Sequence, residues 1–585
     1  MTARTLTALC FTLALSGAYA QTAPPAPPSP EPAAGDKAKP AAAPETMPDE
    51  KAYTEAGKIT DPEKKIAALE KLKTGFPDSA YVSAATSQIF STLIQKMPEQ
   101  KERIRKAAKA MFAVSAAKDK AASKRNMFAT VASRGSTATR IADQLAAGGL
   151  LLQDAESYAR RGVKALRQNV WMAEQREAYA KQKQKIPPPE EFAKDFAEAR
   201  AARIGTLGRV EMKLGRTALA RKLLEESYAV TPSDAKVAAA LGELAAKSGD
   251  DAKAMEYLIS ARLTGRAPDA ANQAFETLYK KGHNGSLDGL EVMLDTAYYK
   301  RFPNPIHVDA YKATEKRSDR MVLAEVFTGS GCPPCAGADV AFDAAMERYS
   351  RQDLAVVMYH EHIPRPDPMT TTGTTARYKS YGENGVPAFA IDGKKTVGGG
   401  SRDMAQEVFE RFQKDLEADL ETAAEARVKI DAVLHGGTVT VAAAVDNVKS
   451  ESKDLKVWIL LVEKEIRHLG ENGIRFHPMV VRAFGGEKGE GYKIEANGKG
   501  TFDASFDLEA IGKDIRKQLD AYEAKGHRGE PFKFSAKKDQ VNRADLAVVV
   551  FVQDDKTRHV LQAGYVDLGT PVSPPAVTES NGTRQ

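Results

Sequence analysis

The sequence predicts a multidomain α+β chain with an N-terminal α-solenoid, a central α/β domain and a C-terminal antiparallel β-sandwich. Three observations predict it. Residues 50–299 are rich in Ala, Lys, Glu, Leu and Arg, with prolines at corners such as Pro62, Pro77 and the run at 187–189. Residues 317–420 alternate short apolar runs with helical patterns, as strands joined by crossover helices do. From Ala424 onward, segments of alternating apolarity are separated by Gly, Asn, Asp and Lys turns, the pattern of an antiparallel sandwich. A chain of 585 residues is also too long for one hydrophobic core.

Residues 1–20 place Arg4 ahead of an apolar stretch at 8–15, with Ala18 and Ala20 flanking Tyr19. This is a signal-peptide layout with cleavage after Ala20, so the expected location is periplasmic or secreted. Cys10 follows Leu9 within the apolar stretch, a poor lipid acceptor, and leaves with the peptide; Cys332 and Cys335 are then the only thiols. Residues 21–50 are dominated by Pro and Ala and read as a disordered linker. No later run approaches the roughly 18 apolar residues of a membrane helix, so no span is expected in the mature chain. The surplus of 84 basic over 78 acidic side chains is spread without a patch, which argues against nucleic acid as a partner.

Residues 51–305 read as helical repeats. Leu207, Gly208, Gly215, Ala220 and Leu224 recur 34 residues later as Leu241, Gly242, Gly249, Ala254 and Leu258, with Pro232 between the units. Over 201–268 this resembles the tetratricopeptide repeat, in which a small residue lets paired helices approach and a proline closes the unit. The large aromatic usual early in the first helix is absent. Residues 52–100 are only loosely similar, with 59–79 reading as one helical pair, and 287–299 read as a last helix. The resemblance implies a solenoid whose stripes are core and whose concave face binds a partner.

The domain at 317–422 reads as βαβ followed by ββα. Residues 321–327 and 354–359 are nearly continuous apolar runs, as in parallel strands covered on both faces, and 335–349 is the helix between them. A polar excursion leads to Val386, Pro387 and the strand 388–391. Asp392 and Gly393 turn into a short strand around Thr396 and Val397. Ser401 then caps a helix bearing Met404, Val408 and Phe412 on one face. Cys332, Pro333, Pro334 and Cys335 stand where the first helix begins. Thiols at this spacing serve as a structural disulfide, a metal half-site or a redox couple, and a zinc site lacks the second pair it needs. Helix-start amides favour the thiolate of the first cysteine. Cys332 is therefore expected to be the more exposed sulfur and to attack a substrate disulfide, and Cys335 to resolve the mixed disulfide. Pro333 suits the first turn, where an amide hydrogen has no helical partner.

The strand order, the C-x-x-C after the first strand and Val386-Pro387 before the third together resemble the thioredoxin superfamily. The run Glu325-Val326-Phe327-Thr328-Gly329, with the histidine-rich and Asp367-Pro368-Met369-Thr370 segments, is similar to secreted bacterial thioredoxin-like proteins. The chain does not resemble a peroxiredoxin, because Thr328 is four residues before Cys332 and no proline precedes it. The resemblance implies a catalytic set of Cys332, Cys335 and a cis-proline at Pro387, with Val386 offering backbone hydrogen bonds to an extended substrate. Pro334 matches the thioredoxin place for proline, whereas Pro333 is more typical of glutaredoxins and oxidising members, so the direction of electron flow stays open. Family members often bury an acid six residues before the first cysteine. Val326 stands there, and Glu325 beside it reads as a proton acceptor or as a salt-bridged structural residue. His360 and His362 share a face by strand alternation and read as metal ligands, thiol-tuning groups or rim residues. Arg377 and Tyr381, with Asp367 and Thr371, either line the substrate groove beside Pro333, Pro334 and Val386 or hold their loop closed.

Residues 424–569 supply alternating segments at 428–434, 438–445, 455–462, 479–483, 546–552 and 559–566, interrupted by a helix at 508–524; 570–585 read as a disordered tail. The sandwich is similar to fibronectin or immunoglobulin modules, a likeness without a function attached. The expected activity is thiol-disulfide exchange on protein thiols or disulfides, with flanking domains docking partners and a redox partner protein restoring the couple. No cofactor beyond the Cys332–Cys335 disulfide and no metal is expected. The alternatives are a redox-inactive binding scaffold and a metal-handling protein using both thiols with His360 or His362.

Overall fold

The computed structural model describes residues 47–124, 131–181, 186–396, 398–528 and 531–568. The expected signal peptide and tail, nearly all of the linker, and Val397 of the expected short strand lie outside the described residues. The chain forms two compact units, Met1–Leu294 and Asp295–Gln585. The first is helical; the second holds all the sheet among the described residues.

The helices of the first unit are α1 (Pro48–Lys58), α2 (Pro62–Gly75), α3 (Val82–Lys96), α4 (Lys101–Lys124), α5 (Val131–Ala147), α6 (Leu152–Ala165), α7 (Gln168–Lys181), α8 (Pro189–Lys213), α9 (Thr217–Val230), α10 (Ala235–Lys247), α11 (Asp251–Arg262) and α12 (Asp269–Gly282). The 34-residue repeat becomes a repeat of contacts. A Cβ at Gly208 would lie 2.9 Å from Leu224 Cγ, and one at Gly242 would lie 2.8 Å from Leu258 Cγ, so each glycine lets α8 meet α9 and α10 meet α11 closely. Gly215 and Gly249 end the first helix of each pair at φ +78° and +79°, backbone that a side chain disfavours. Ala220 and Ala254 are fully buried. Residues 59–79, read as a helical pair, hold the single helix α2. Asp61 accepts from the Lys64 amide at 2.8 Å and Pro62 follows it, which starts the helix; Phe76 caps its other end just before Pro77.

The last helix of this region, α13 (Leu290–Arg301), leads into the second unit. There follow β1 (Val322–Thr328), α14 (Cys335–Arg348), β2 (Leu354–His360), α15 (Thr372–Ser380), β3 (Ala388–Ile391), β4 (Lys394–Thr396) and α16 (Ala405–Leu420). Then come β5 (Arg427–His435), β6 (Thr438–Asp446), β7 (Leu455–Arg467), β8 (Phe476–Phe484), β9 (Tyr492–Lys493), β10 (Gly500–Asp507), α17 (Leu508–Lys525), β11 (Leu546–Asp554) and β12 (Val560–Asp567). β1 pairs parallel with β2 and antiparallel with β3, and every residue of β1 and β2 is buried, as their continuous apolar runs require. Ser401 makes no cap bond. A 3₁₀ turn at Arg402–Met404 intervenes, and α16 starts after it with Val408 and Phe412 wholly buried. The polar excursion contains α15, whose Thr371 and Thr374 form a capping box that the sequence reading passed over.

The expected boundary near 422–424 does not interrupt the sheet. One sheet runs β12-β11-β7-β8-β2-β1-β3-β4, with β8 joined to β2 in parallel through Met358 and Val480. A second sheet, β10-β6-β5, is antiparallel. Alternation along β7 and β11 serves two cores. Val457, Ile459 and Leu461 with Val548, Val550 and Val552 pack with Val439, Val441 and Ala443 of the second sheet. Trp458, Leu460 and Val462 with Ala547, Val549 and Phe551 join the core that contains β1, β2 and α14. These antiparallel strands therefore read as unbroken apolar runs because both their faces are covered.

Candidate functional site

β1 delivers the chain to a turn, Gly329–Gly331, that places Cys332 and Cys335 at the start of α14. The Cys332 amide donates to Gly329 O at 3.0 Å, and the Cys335 amide to Cys332 O at 3.1 Å. The two sulfurs form a disulfide with the Cα atoms 5.3 Å apart. Val386-Pro387 faces it through a cis peptide bond, with the Val386 carbonyl oxygen 3.6 Å from Cys332 Sγ. The glycine run 398–400 closes this side: the Gly400 amide donates to Pro334 O at 2.8 Å and the Gly337 amide to Gly400 O at 2.9 Å. A side chain at Gly399 would overlap the Pro387 ring, so these glycines are part of the site, although their only sequence mark is repetition. Pro333 is exposed and Pro334 partly so.

Cys332 was expected to be the exposed sulfur. It is not: both cysteines are 0% exposed. Two loops remote in sequence close on the turn before Cys332. Between β7 and β8, the Asn472 amide donates to Ser330 O at 3.0 Å and its side-chain Nδ2 to Gly329 O at 3.3 Å. From the segment after β2, Arg365 comes so near that a Cβ at Gly331 would lie 2.7 Å from its own Cβ, and its guanidinium pairs with Glu471 at 3.1 Å.

Beneath the turn lies a buried ion pair. His360 Nδ1 is 2.9 Å from Asp367 Oδ2, and Asp367 also accepts from the amides of Ser330 at 2.6 Å and Met369 at 2.8 Å. Burial opposes charge on His360, but Asp367 outweighs it and raises the imidazole above its ordinary value. Burial likewise opposes charge on Asp367, yet His360 and the amide donors hold its carboxyl well below the usual range. His362 leaves the strand face it was expected to share with His360 and accepts from the Asp367 amide at 3.0 Å; burial lowers it to about 4. Asp367 is thus a keystone of the turn, whereas the sequence marked it only as one residue of a loop.

Glu325, Arg377 and Tyr381 do not reach the disulfide or a groove. Arg377 Nε and Nη2 donate to the Glu325 carboxylate at 2.7 and 2.9 Å, and Tyr359 donates to it at 2.9 Å. Tyr381 is its fourth donor. Gln553 of β11 accepts from Arg377 at 2.7 Å, and the guanidinium lies 4.7 Å from the centre of the Trp458 ring. Glu325 and Arg377 side chains are 0% and 1% exposed. The reason is strand alternation: Thr328 and Val326 face α14, so Glu325 faces α15.

No protein-family model matches the chain, and no curated protein is significantly similar to it. Among the described residues, no group of three or more His, Cys, Asp and Glu is arranged to hold a metal ion. Among the same residues, no helix is long and apolar enough to cross a membrane. A disulfide at a helix start, with the Val386 carbonyl beside Cys332 Sγ, is chemically capable of thiol-disulfide exchange.

Proposed function

We propose that this chain is an exported thiol-disulfide oxidoreductase acting on protein thiols or disulfides. The observation that carries the reading is the Cys332–Cys335 disulfide at the start of α14 with Val386 O 3.6 Å from Cys332 Sγ. The order β2-β1-β3-β4, with α14 and α16 packed together and Phe342 stacked on Phe412 at 4.5 Å, supports a thioredoxin-like module around it. The repeated Gly208–Leu224 and Gly242–Leu258 contacts support a tetratricopeptide-like solenoid for partner docking. The two facing sheets beyond β4 support a sandwich-type module. The layout of residues 1–20 supports export.

Reduction of insulin by the wild-type protein, lost in Cys332→Ser, is the expected result, and Cys335→Ser is expected to trap partners as mixed disulfides. A pair that ordinary thiol reagents cannot cycle refutes the reading. One observation favours the redox-inactive scaffold as a second reading: the complete burial of both sulfurs. In that case the protein binds partners, and Cys335→Ser traps none of them covalently.

A further inference from the structure

The redox reading leaves open which polypeptides the thiol pair meets, and the lip in front of Cys332 bears on that choice. Gly331 directly precedes Cys332, and a Cβ there would lie 2.7 Å from that of Arg365, so the Arg365 side chain starts against the turn that carries the pair. It is 56% exposed and meets Glu471, itself 46% exposed, through Nε at 3.1 Å. Its two Nη groups donate to no group among the described residues. A guanidinium engaged at one nitrogen and open at the other two presents the flat fork that takes a carboxylate through parallel hydrogen bonds. The contact with Glu471 is an exposed ion pair, a weak kind, so an incoming carboxylate can share the guanidinium or replace Glu471 on it.

A second guanidinium fixes the ground beside the first. Arg528, exposed after α17, donates through Nη2 to Pro364 O at 3.1 Å, one residue before Arg365. His527 registers both: burial, then the charges of Arg528 and Arg365, hold its imidazole below its ordinary value. On the Val386 side of the disulfide, by contrast, Lys395 and Glu383 pair at 3.0 Å and cancel. Attraction for an anion is therefore concentrated on the Gly331 side.

We propose that Arg365 is a docking residue for acidic polypeptides, taking an aspartate or glutamate side chain that lies near the substrate cysteine. The proposal rests on the redox reading and names the substrate class of that site. Attraction at an exposed lip acts on encounter, so it favours acidic over basic substrates in rate and fades as salt screens it.

The test uses the reduced full-length protein and three peptides of one length, each joined through its single cysteine to the same fluorogenic thiol, with two Asp, two Ser or two Lys beside that cysteine. Exchange oxidises Cys332 and Cys335 to their disulfide and reduces the peptide disulfide to two thiols. Each rate constant is divided by that of the same peptide with dithiothreitol, which removes the effect of the flanking charge on the disulfide itself. The corrected ratio of Asp peptide to Lys peptide is expected to be about tenfold at low salt and to fall toward one at roughly 0.5 M salt. Arg365→Glu is expected to bring the ratio below one, and Glu471→Gln to raise it. Arg365→Lys, which keeps the charge and loses the fork, is expected to fall between wild type and Arg365→Glu. The ratio is taken within one preparation, so a variant that folds incompletely lowers both rates and leaves the ratio readable. A ratio of one in the wild type, or a ratio that Arg365→Glu leaves unaltered, overturns the docking role and leaves the redox reading standing. Absence of exchange with all three peptides in the wild type removes the redox reading and the docking role with it.

Discussion

Glu325→Gln keeps the shape of the side chain and removes its charge. In the native protein four donors share the two carboxylate oxygens: Arg377 twice, Tyr359 and Tyr381. A glutamine amide offers one acceptor oxygen and turns an NH₂ group toward the other donors. The Arg377 guanidinium then keeps Gln553 at 2.7 Å and the faces of Trp458, Tyr381 and Phe551 at 4.7, 5.1 and 5.3 Å. Those contacts exist already in the native protein and so compensate nothing. Removing one member of a buried pair costs about 3–5 kcal/mol, most of it the uncompensated charge left behind. With two compact units in one chain, a single melting curve is not a two-state measurement. Hydrogen exchange on peptides from β1, α15 and β11 of the full-length protein reads the local stability directly. The expected result is a loss of protection there of at least about a hundredfold, since each 1.4 kcal/mol is roughly tenfold. The double change Glu325→Leu with Arg377→Met, which removes both charges, is expected to recover most of it. Unchanged protection in Glu325→Gln, together with lost disulfide exchange, would falsify the structural assignment and return the carboxylate to a proton-accepting role.

Three other outcomes follow from the site. Burial raises Asp339 from 3.8 to about 6, so the folded protein binds that proton more tightly than the unfolded chain and loses stability as pH rises between those values. Asp339→Asn is therefore expected to be more stable by roughly 3 kcal/mol above pH 6, with the gain shrinking toward pH 3.8; hydrogen exchange on α14 peptides across this range checks it, and lower protection in the variant at neutral pH contradicts it. Asp367, held low, contributes stability that is present above 3.8 and lost as pH falls. His360, held high, contributes stability that is present below 6.5 and lost as pH rises through its folded value. Stability from the pair is thus full between 3.8 and 6.5, and Asp367→Asn should flatten the pH profile on both sides of that window; an unaltered profile removes the pair from the account. Asn472→Ala deletes the side-chain bond to Gly329 O, worth about 1 kcal/mol, and is expected to speed alkylation of Cys332 in the reduced protein several-fold. Equal alkylation rates would show that the loop between β7 and β8 does not govern access.

What could be read from the residues in advance was local. Cys332 and Cys335 are three apart, so their meeting needs only one turn of chain. Val386-Pro387 precedes a strand that any reading of the apolar pattern finds. Gly208 and Gly242 repeat because each pair of helices solves the same packing problem with neighbours in sequence. β10 does not stand out in the apolar pattern because its apolar positions, Phe502, Ala504 and Phe506, alternate with charged and hydroxyl residues over a short stretch. α15 does not show in the apolar pattern because Tyr378 is its one large apolar residue, and its start depends on a capping box rather than on apolar spacing.

The sequence by itself determined the thiol pair, its place after a buried strand, and the helical repeats before it, because each is set by contacts within one or two neighbouring elements. Only the tertiary structure decided where the neighbouring acids turn and how deeply the pair is buried. Glu325 stands beside the position of the missing acid in sequence, yet strand alternation turns it to Arg377, Tyr359 and Tyr381. Cys332 looks exposed at a helix start, yet it is buried, and Asn472, from a loop between two far later strands, ties down the turn that carries it. The approach of that loop goes with the sheet continuing from β2 into β8, a pairing between segments whose own patterns carry no trace of each other.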